Sequence, residues 1–164
     1  MKPLLTVLPL TDLSPLEVHE LYKLRVDVFV HEQQTPYAEI DNTDAHQDTR
    51  HVLAWRRGGT DNELMGVARV FPTDDAMVLG RLVVKPEFRG TGLSQQLIRS
   101  ALTYAFENEP GKDVTLEAQA ELTGFYGAFG FVPEGELYDD TGTPHQKMRM
   151  TAAQLAQYVL KGAS

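Results

Sequence analysis

The residues with the clearest chemical potential form a glycine turn in mid-chain. Leu79-Gly80-Arg81-Leu82-Val83-Val84 reads as a strand, and Arg89-Gly90-Thr91-Gly92-Leu93-Ser94 stands at the mouth of a helix. A strand that feeds a glycine turn at a helix N-terminus makes an anion site. Its backbone N–H groups lack partners, the dipole is positive there, and glycine lets a phosphate approach closely. Residues 81–99 carry Arg81, Lys85, Arg89 and Arg99 against Glu87 alone, a local +3 in a chain of net charge −8. That contrast points to a polyphosphate ligand, although a bare glycine turn between strand and helix is often only a turn. A dinucleotide fingerprint would need a third glycine where Gln95 stands. The only Gly-Lys pair, Gly111-Lys112, is followed by Asp113, which excludes a Walker loop.

A second concentration of chemistry is acidic. Asp27, Glu32, Glu39, Asp41, Asp44 and Asp48 give −6 between Val26 and Arg50. Such a run is either solvated surface or a field that attracts a cation. Arg69 and Arg81, set in apolar strands, offer the opposite: a grip on a carboxylate. No metal is expected. His31-Glu32-Gln33-Gln34-Thr35 begins like a zincin helix but ends in Thr where His is required. Asp41, Asp44, His46 and Asp48 lack the spacing and the glycine of a calcium loop. The absence of cysteine removes disulfides, thiolate metal sites and a cysteine nucleophile. Net negative charge argues against nucleic acid. No apolar run approaches the ~20 residues of a membrane span, so no membrane partner is expected. Met1 to Leu10 reads as an edge strand of a cytoplasmic protein rather than a leader.

The elements that must position these groups follow from periodicity and punctuation. Ser14-Pro15-Leu16-Glu17 opens a helix that Leu21, Leu24 and Val28 carry to about Val30. An irregular stretch from Gln33 to Thr49 contains Pro36 and no Lys or Arg. Residues 51–55, 64–71 and 77–84 read as three antiparallel strands, the first two joined by a turn-rich loop over 57–62. Leu93, Leu97, Ile98, Leu102 and Ala105 mark a helix. A strand over 114–119, a short helix over 122–129, a hairpin from Phe131 back through 147–150, and a Thr151-capped helix to Lys161 complete the chain. With no repeat or linker, residues 1–164 read as one α+β domain with a mixed sheet.

Arg89-Gly90-Thr91-Gly92-Leu93-Ser94 resembles the Arg/Gln-x-x-Gly-x-Gly/Ala pyrophosphate loop of the GNAT N-acetyltransferases, departing only in Ser94. Gln119 to Phe131 resembles their Asn…Tyr…Gly-Phe segment, with Gln119 seven residues before Tyr126 where Asn is common. Leu24-Arg25-Val26-Asp27-Val28-Phe29-Val30-His31-Glu32-Gln33-Gln34, with Asp41, Arg50-His51-Val52-Leu53 and Tyr138…Gly142-Thr143-Pro144-His145, looks like the ElaA-like branch. The match runs from about Leu21 to Met150.

This resemblance implies the GNAT acyl-CoA N-acyltransferase fold, a mixed, mostly antiparallel, splayed sheet flanked by helices. It also implies direct transfer of an acetyl group from acetyl-CoA to a primary amine, of a small molecule or a peptide. The pyrophosphate would rest on Arg89, Gly90, Thr91, Gly92, Leu93 and Ser94, with Gln119 also on the cofactor side. Pantetheine would pair with the backbone of Leu82, Val83 and Val84. Tyr126 takes the place of the general acid, its competing role being aromatic packing with Phe125, Phe129 and Phe131. Thr115, Glu117 and Gln119 alternate onto one strand face. Glu117 is thus a candidate base acting through water, or a carboxylate paired with Arg69 or Arg81. His145 belongs to the resemblance without an evident task. Other readings are a non-catalytic acyl-CoA-binding module and an acyl-homoserine-lactone synthase. The aromatic-rich segment expected of such a synthase is missing, Trp55 being the only tryptophan. Leu155, Tyr158, Val159 and Leu160 of the last helix offer a homodimer surface.

Overall fold

The computed structural model describes residues 2–34, 38–58 and 62–162. Pro36 of the irregular stretch and Gly59, Thr60 and Asp61 of the turn-rich loop lie outside the described residues. In chain order the elements are β1 (Leu4–Leu8), α1 (Pro15–Arg25), α2 (Asn42–Ala45), β2 (Arg50–Arg56), β3 (Glu63–Pro72), β4 (Ala76–Val84), α3 (Leu93–Asn108), β5 (Asp113–Gln119), α4 (Thr123–Gly127), β6 (Val132–Pro133), β7 (Tyr138–Asp140), β8 (Thr143–Met150) and α5 (Ala152–Gly162). The strands form a mixed, open sheet in the order β1-β2-β3-β4-β5-β8-β6, with β7 on β8. β4 and β5 run parallel, whereas β5, β6 and β7 meet their neighbour β8 antiparallel.

Local chemistry sets the helix starts. Ser14 Oγ accepts the Glu17 N–H while Glu17 Oε1 accepts the Ser14 N–H, and Pro15 fills the first helical position. Thr151 and Gln154 make the equivalent exchange ahead of α5. The first helix keeps α pitch only to Arg25; Val26–Glu32 is wound as a π-helix, closed by Gln33 N–H on the Val28 carbonyl. Val26, Val28 and Val30 crowd the preceding turn of an α-helix, and the wider winding relieves them. Two elements escaped sequence reasoning. Asp41 and Asp44 form a reciprocal cap that starts α2 inside the expected irregular stretch. The returning hairpin gains β7 because Thr141 (φ 51°) and Gly142 (φ 86°) form a tight two-residue turn between Asp140 and Thr143.

The chain forms two compact units. Unit 1 comprises residues 1–71 and 81–101, and unit 2 residues 72–80 and 102–164. In unit 1, Leu21, Leu24 and Val28 pack with Leu53, Trp55, Leu64, Val67 and Val83. Gly66 lies on the other face of β3, where a Cβ would stand 3.0 Å from Leu97 Cδ1 and 3.0 Å from the Val83 carbonyl oxygen. The missing side chain is what lets α3 lie so close to the strand. In unit 2, Met77, Val114, Leu116, Met148, Met150 and Leu155 are buried. Leu155 is fully enclosed and the Tyr158 ring leans on Phe129 at 5.8 Å. The dimer surface drawn from α5 therefore loses Leu155, because that face of an amphipathic helix serves the core.

Unit 1 also buries an ionic cluster. Arg25 donates through Nε to Glu39 Oε2 (2.7 Å), through Nη1 to Asp44 Oδ1 (2.6 Å), and through Nη2 to Asp44 Oδ2 (3.1 Å) and the Glu39 carbonyl (2.6 Å). Arg69 Nη1 reaches Asp41 (2.9 Å) and Asp44 (3.0 Å). Arg81 Nε reaches Glu39 Oε2 at 3.0 Å. His51 Nε2 donates to the Asp44 carbonyl at 3.0 Å. Burial pushes the Asp44 carboxyl upward, but the Arg25 hydrogen bond, the Asp41 N–H and the charges of Arg25 and Arg69 outweigh it and hold Asp44 at about 2.

Two outcomes follow from this packing. Gly66→Ala lowers unfolding free energy by about 1–3 kcal/mol in denaturant titration, because β3 and α3 must part. The Asp44 carboxyl binds its proton more weakly folded than unfolded, so its contribution is complete above about pH 4. It is lost as pH falls toward about 2, costing on the order of 2 kcal/mol, and Asp44→Asn abolishes that part of the acid sensitivity.

Candidate active site

The glycine turn expected to act as an anion cradle leads directly into α3. Gly90 (φ 79°) and Gly92 (φ 82°) both adopt the left-handed backbone that a side chain disfavours. No atom lies within 4 Å of a Cβ added to either, so conformation rather than crowding demands glycine. Thr91 Oγ1 donates to the Phe88 carbonyl at 2.6 Å and braces the loop. Gln96 N–H bonds the Gly92 carbonyl at 3.3 Å. The amides of Leu93, Ser94 and Gln95 precede it at the open end of α3, where the helix supplies no acceptor.

The strand leading into the cradle is irregular. Arg81 has φ 50° in the middle of β4, a local break in the extended backbone. The pairing of β4 with β5 covers Ala76–Val78 against Asp113–Thr115 alone among the described residues. Among the described residues Leu82, Val83 and Val84 have no pairing with β5; the Val83 carbonyl turns toward Gly66 of β3 and the Val84 carbonyl accepts Arg89 Nε.

The positive charge read around the cradle is largely committed. Arg89 donates from both terminal nitrogens to Glu32, at 2.9 and 2.8 Å, and from Nε to the Val84 carbonyl at 3.3 Å. Lys85 reaches Glu63 at 3.4 Å, and Arg81 faces Glu39 and Asp41. The acidic run is spent in the same way. Glu39 and Asp44 are buried against Arg25, Asp41 pairs with Arg69, Glu32 with Arg89, and Asp27 with Lys23 at 2.6 Å. Neither a cation-attracting field nor a free pair of arginines for an acceptor carboxylate survives this pairing. Arg25 is the organising residue that sequence reasoning missed. The signal was its place on the helical stripe of Leu21, Leu24 and Val28, where a charged residue must have internal partners.

The candidate side chains of unit 2 stand apart from these ion pairs. Tyr126 lies in α4, half-buried, with its ring edge-on to Phe125 (5.1 Å) and Phe131 (6.3 Å). Burial alone pushes its phenol up to about 12. Packing thus holds the ring while burial keeps it protonated. Glu117 is exposed on β5 and accepts the Tyr138 hydroxyl at 2.6 Å. Its partner is that phenol of β7, whereas Arg69 and Arg81 pair with Glu39, Asp41 and Asp44. Burial, and then Glu117, push the Tyr138 phenol upward. Gln119 ends β5 opposite His145 of β8.

These features are those of a GNAT acetyltransferase, and the family profile described as "Acetyltransferase (GNAT) domain" matches residues 10–152. The chain belongs to that family, whose members are acyl-CoA-dependent transferases. Protein ElaA of Escherichia coli is 40% identical over 138 residues, covering 82% of this chain and 88% of ElaA. The crystal structure of that protein superposes with a TM-score of 0.83 over 90% of this chain and 99% of its own, at 38% identity. An acyl-CoA N-acyltransferase of Pseudomonas aeruginosa gives 0.85 over 92% of this chain and 100% of its own, at 37% identity. Among the described residues no helix is long and apolar enough to cross a membrane.

The bidentate Glu32–Arg89 pair generates a direct expectation. Glu32→Gln releases the guanidinium toward a bound pyrophosphate and tightens coenzyme A binding severalfold in calorimetry, the gain shrinking as salt is added. Weaker binding would instead mean that Glu32 holds Arg89 in its binding pose.

Proposed function

We propose that residues 1–164 act as a single cytoplasmic N-acetyltransferase domain that moves the acetyl group of acetyl-CoA to a primary amine. The observation that carries this reading is the glycine turn Arg89–Ser94, with two left-handed glycines opening α3. Its fit to a pyrophosphate is backbone chemistry: open amides, a positive dipole and no side chain at Gly90 or Gly92. Leu93 and Ser94 add their amides, and Arg89 adds a charge once Glu32 yields it. The freed edge of Leu82, Val83 and Val84 receives the pantetheine amides and polarises the thioester carbonyl. Gln119 serves the same substrate from the end of β5.

Tyr126 is the general acid. Its hydroxyl gives a proton to the sulfur as the carbon–sulfur bond breaks. A phenol raised to about 12 keeps that proton throughout the working range. Glu117, with one oxygen engaged by Tyr138, places negative charge on the β5 face and favours an ammonium acceptor there. The acceptor is a small amine or peptide amine. A homodimer would use what α5 leaves outside the core, where Leu160 is 59% exposed.

The test is thiol release from acetyl-CoA with a panel of primary amines, comparing the parent with Tyr126→Phe. Turnover that falls at least tenfold in kcat, with the KM for acetyl-CoA unchanged, supports the acid; tenfold corresponds to about 1.4 kcal/mol of barrier. The parent should show no basic limb assignable to Tyr126 below about pH 11, since its phenol titrates near 12. Equal rates in both proteins remove Tyr126 from its role. Binding of acetyl-CoA without thiol release from any amine would make this a binding module instead.

A further inference from the structure

The β5, β7 and β8 strands bring together Gln119, Glu117, Tyr138 and His145, of which the reading above leaves His145 without a task. Antiparallel pairing sets His145 opposite Gln119 on one side and opposite Tyr138 on the other. Residues directly opposite share a sheet face, so Gln119, His145 and Tyr138 project together from unit 2. The Tyr138 and His145 rings lie 5.9 Å apart with 30° between their planes. Tyr138 is held in turn by its hydroxyl on Glu117.

The orientation of the imidazole is also set. His145 Nδ1 lies 2.9 Å from the Thr143 carbonyl oxygen. A carbonyl only accepts, so Nδ1 carries the hydrogen, and in the neutral ring the lone pair resides on Nε2. Nε2 has no hydrogen-bond partner among the described residues. A half-buried imidazole with a fixed tautomer and an open Nε2 is built to take up a proton.

We infer that His145 Nε2 is the proton acceptor for the amine substrate, with the Thr143 carbonyl and the Tyr138–Glu117 pair as positioning groups. This rests on the transferase reading. The ammonium gives one proton to Nε2, leaving a neutral amine whose lone pair forms the bond to the thioester carbonyl carbon. The carbon–sulfur bond breaks and the sulfur takes the Tyr126 proton. The second amine proton restores the phenol through solvent, and His145 releases its own, so one proton is lost per turnover. Glu117 then acts by holding Tyr138 rather than by taking the proton itself. The titratable and charged groups on the elements packed against His145 include Tyr138 and Asp140 of β7, Glu117 of β5, Lys147 on its own strand and the exposed Glu121 of the turn packed on β8.

The experiment compares the parent with His145→Asn, which keeps a donor for the Thr143 carbonyl but no basic lone pair. Two acceptors serve as probes: a primary alkylamine from the panel, protonated at neutral pH, and hydrazine, largely unprotonated above pH 8. The variant should lose at least tenfold in kcat/KM with the alkylamine, recover as pH approaches that amine's own pKa, and lose less than threefold with hydrazine at pH 8.5. Equal losses with both probes overturn the assignment. Nitrogen-15 spectra of the parent report the tautomer without any acceptor; a hydrogen on Nε2 in the neutral ring also overturns it. Calorimetry with acetyl-CoA shows whether the variant is folded, and if it is not, His145→Gln replaces it in the same comparison. A parent that shows the expected tautomer but releases thiol with no amine defeats the transferase reading and the proton-acceptor role that rests on it, while a correct parent with an indifferent variant defeats His145 alone.

Discussion

A guanidinium enclosed at 1% exposure constrains much of unit 1. Arg25 arrives on the apolar stripe of α1 and cannot stay there unless its donors are met, because an uncompensated buried charge costs several kcal/mol. The acceptors come from the segment that follows α1, Glu39 and Asp44, which must fold back over the helix. Once there, the same carboxylates and Asp41 neutralise Arg69 of β3 and Arg81 of β4. Helix, returning segment and two strands are thereby tied at one point. The gain is in position more than in stability, since buried ion pairs seldom outperform apolar packing in free energy. The left-handed Arg81, a costly conformation for any residue with a Cβ, is held by Nε and Nη2 on the Glu39 carbonyl at 3.2 and 3.1 Å.

With the arginines used in this way, what the glycine turn offers is chiefly its backbone. Arg81, Lys85 and Arg89 are each paired with a carboxylate, so the distinguishing features of Arg89–Ser94 are the open helix end and the φ of two glycines. Backbone donors at a helix end recognise a pyrophosphate without regard to what is attached to it. In unit 2 the grouping is of side chains, with Glu117, Tyr138 and His145 gathered on one face of β5, β7 and β8.

What could be read from the sequence was local. Ser14-Pro15-Leu16-Glu17 announced α1, the stripe from Leu93 to Ala105 announced α3, and the glycines of the cradle announced both the turn and its conformation. The aromatic neighbours of Tyr126 were legible for the same reason, since Phe125 and Phe131 lie within one or two turns of it. Capping, helical periodicity and left-handed turns are interactions among residues at most a few positions apart, so the order of residues suffices to determine them. Charge pairing is different in kind. The sequence states that Arg89 is positive and Glu32 negative, but they lie 57 positions apart, and any of several carboxylates could have met that guanidinium. The acidic run read as an open field became a set of partners, Glu117 turned to Tyr138, and His145 acquired a fixed tautomer from a carbonyl two residues away and a neighbouring ring from β7. The sequence by itself determined the elements whose caps, stripes and turns are local, among them α1, α3 and the glycine turn. Only the tertiary structure decided which charges remain available for chemistry, because a Coulomb pair is set by distance in space, and chain order does not specify distance between residues far apart along it.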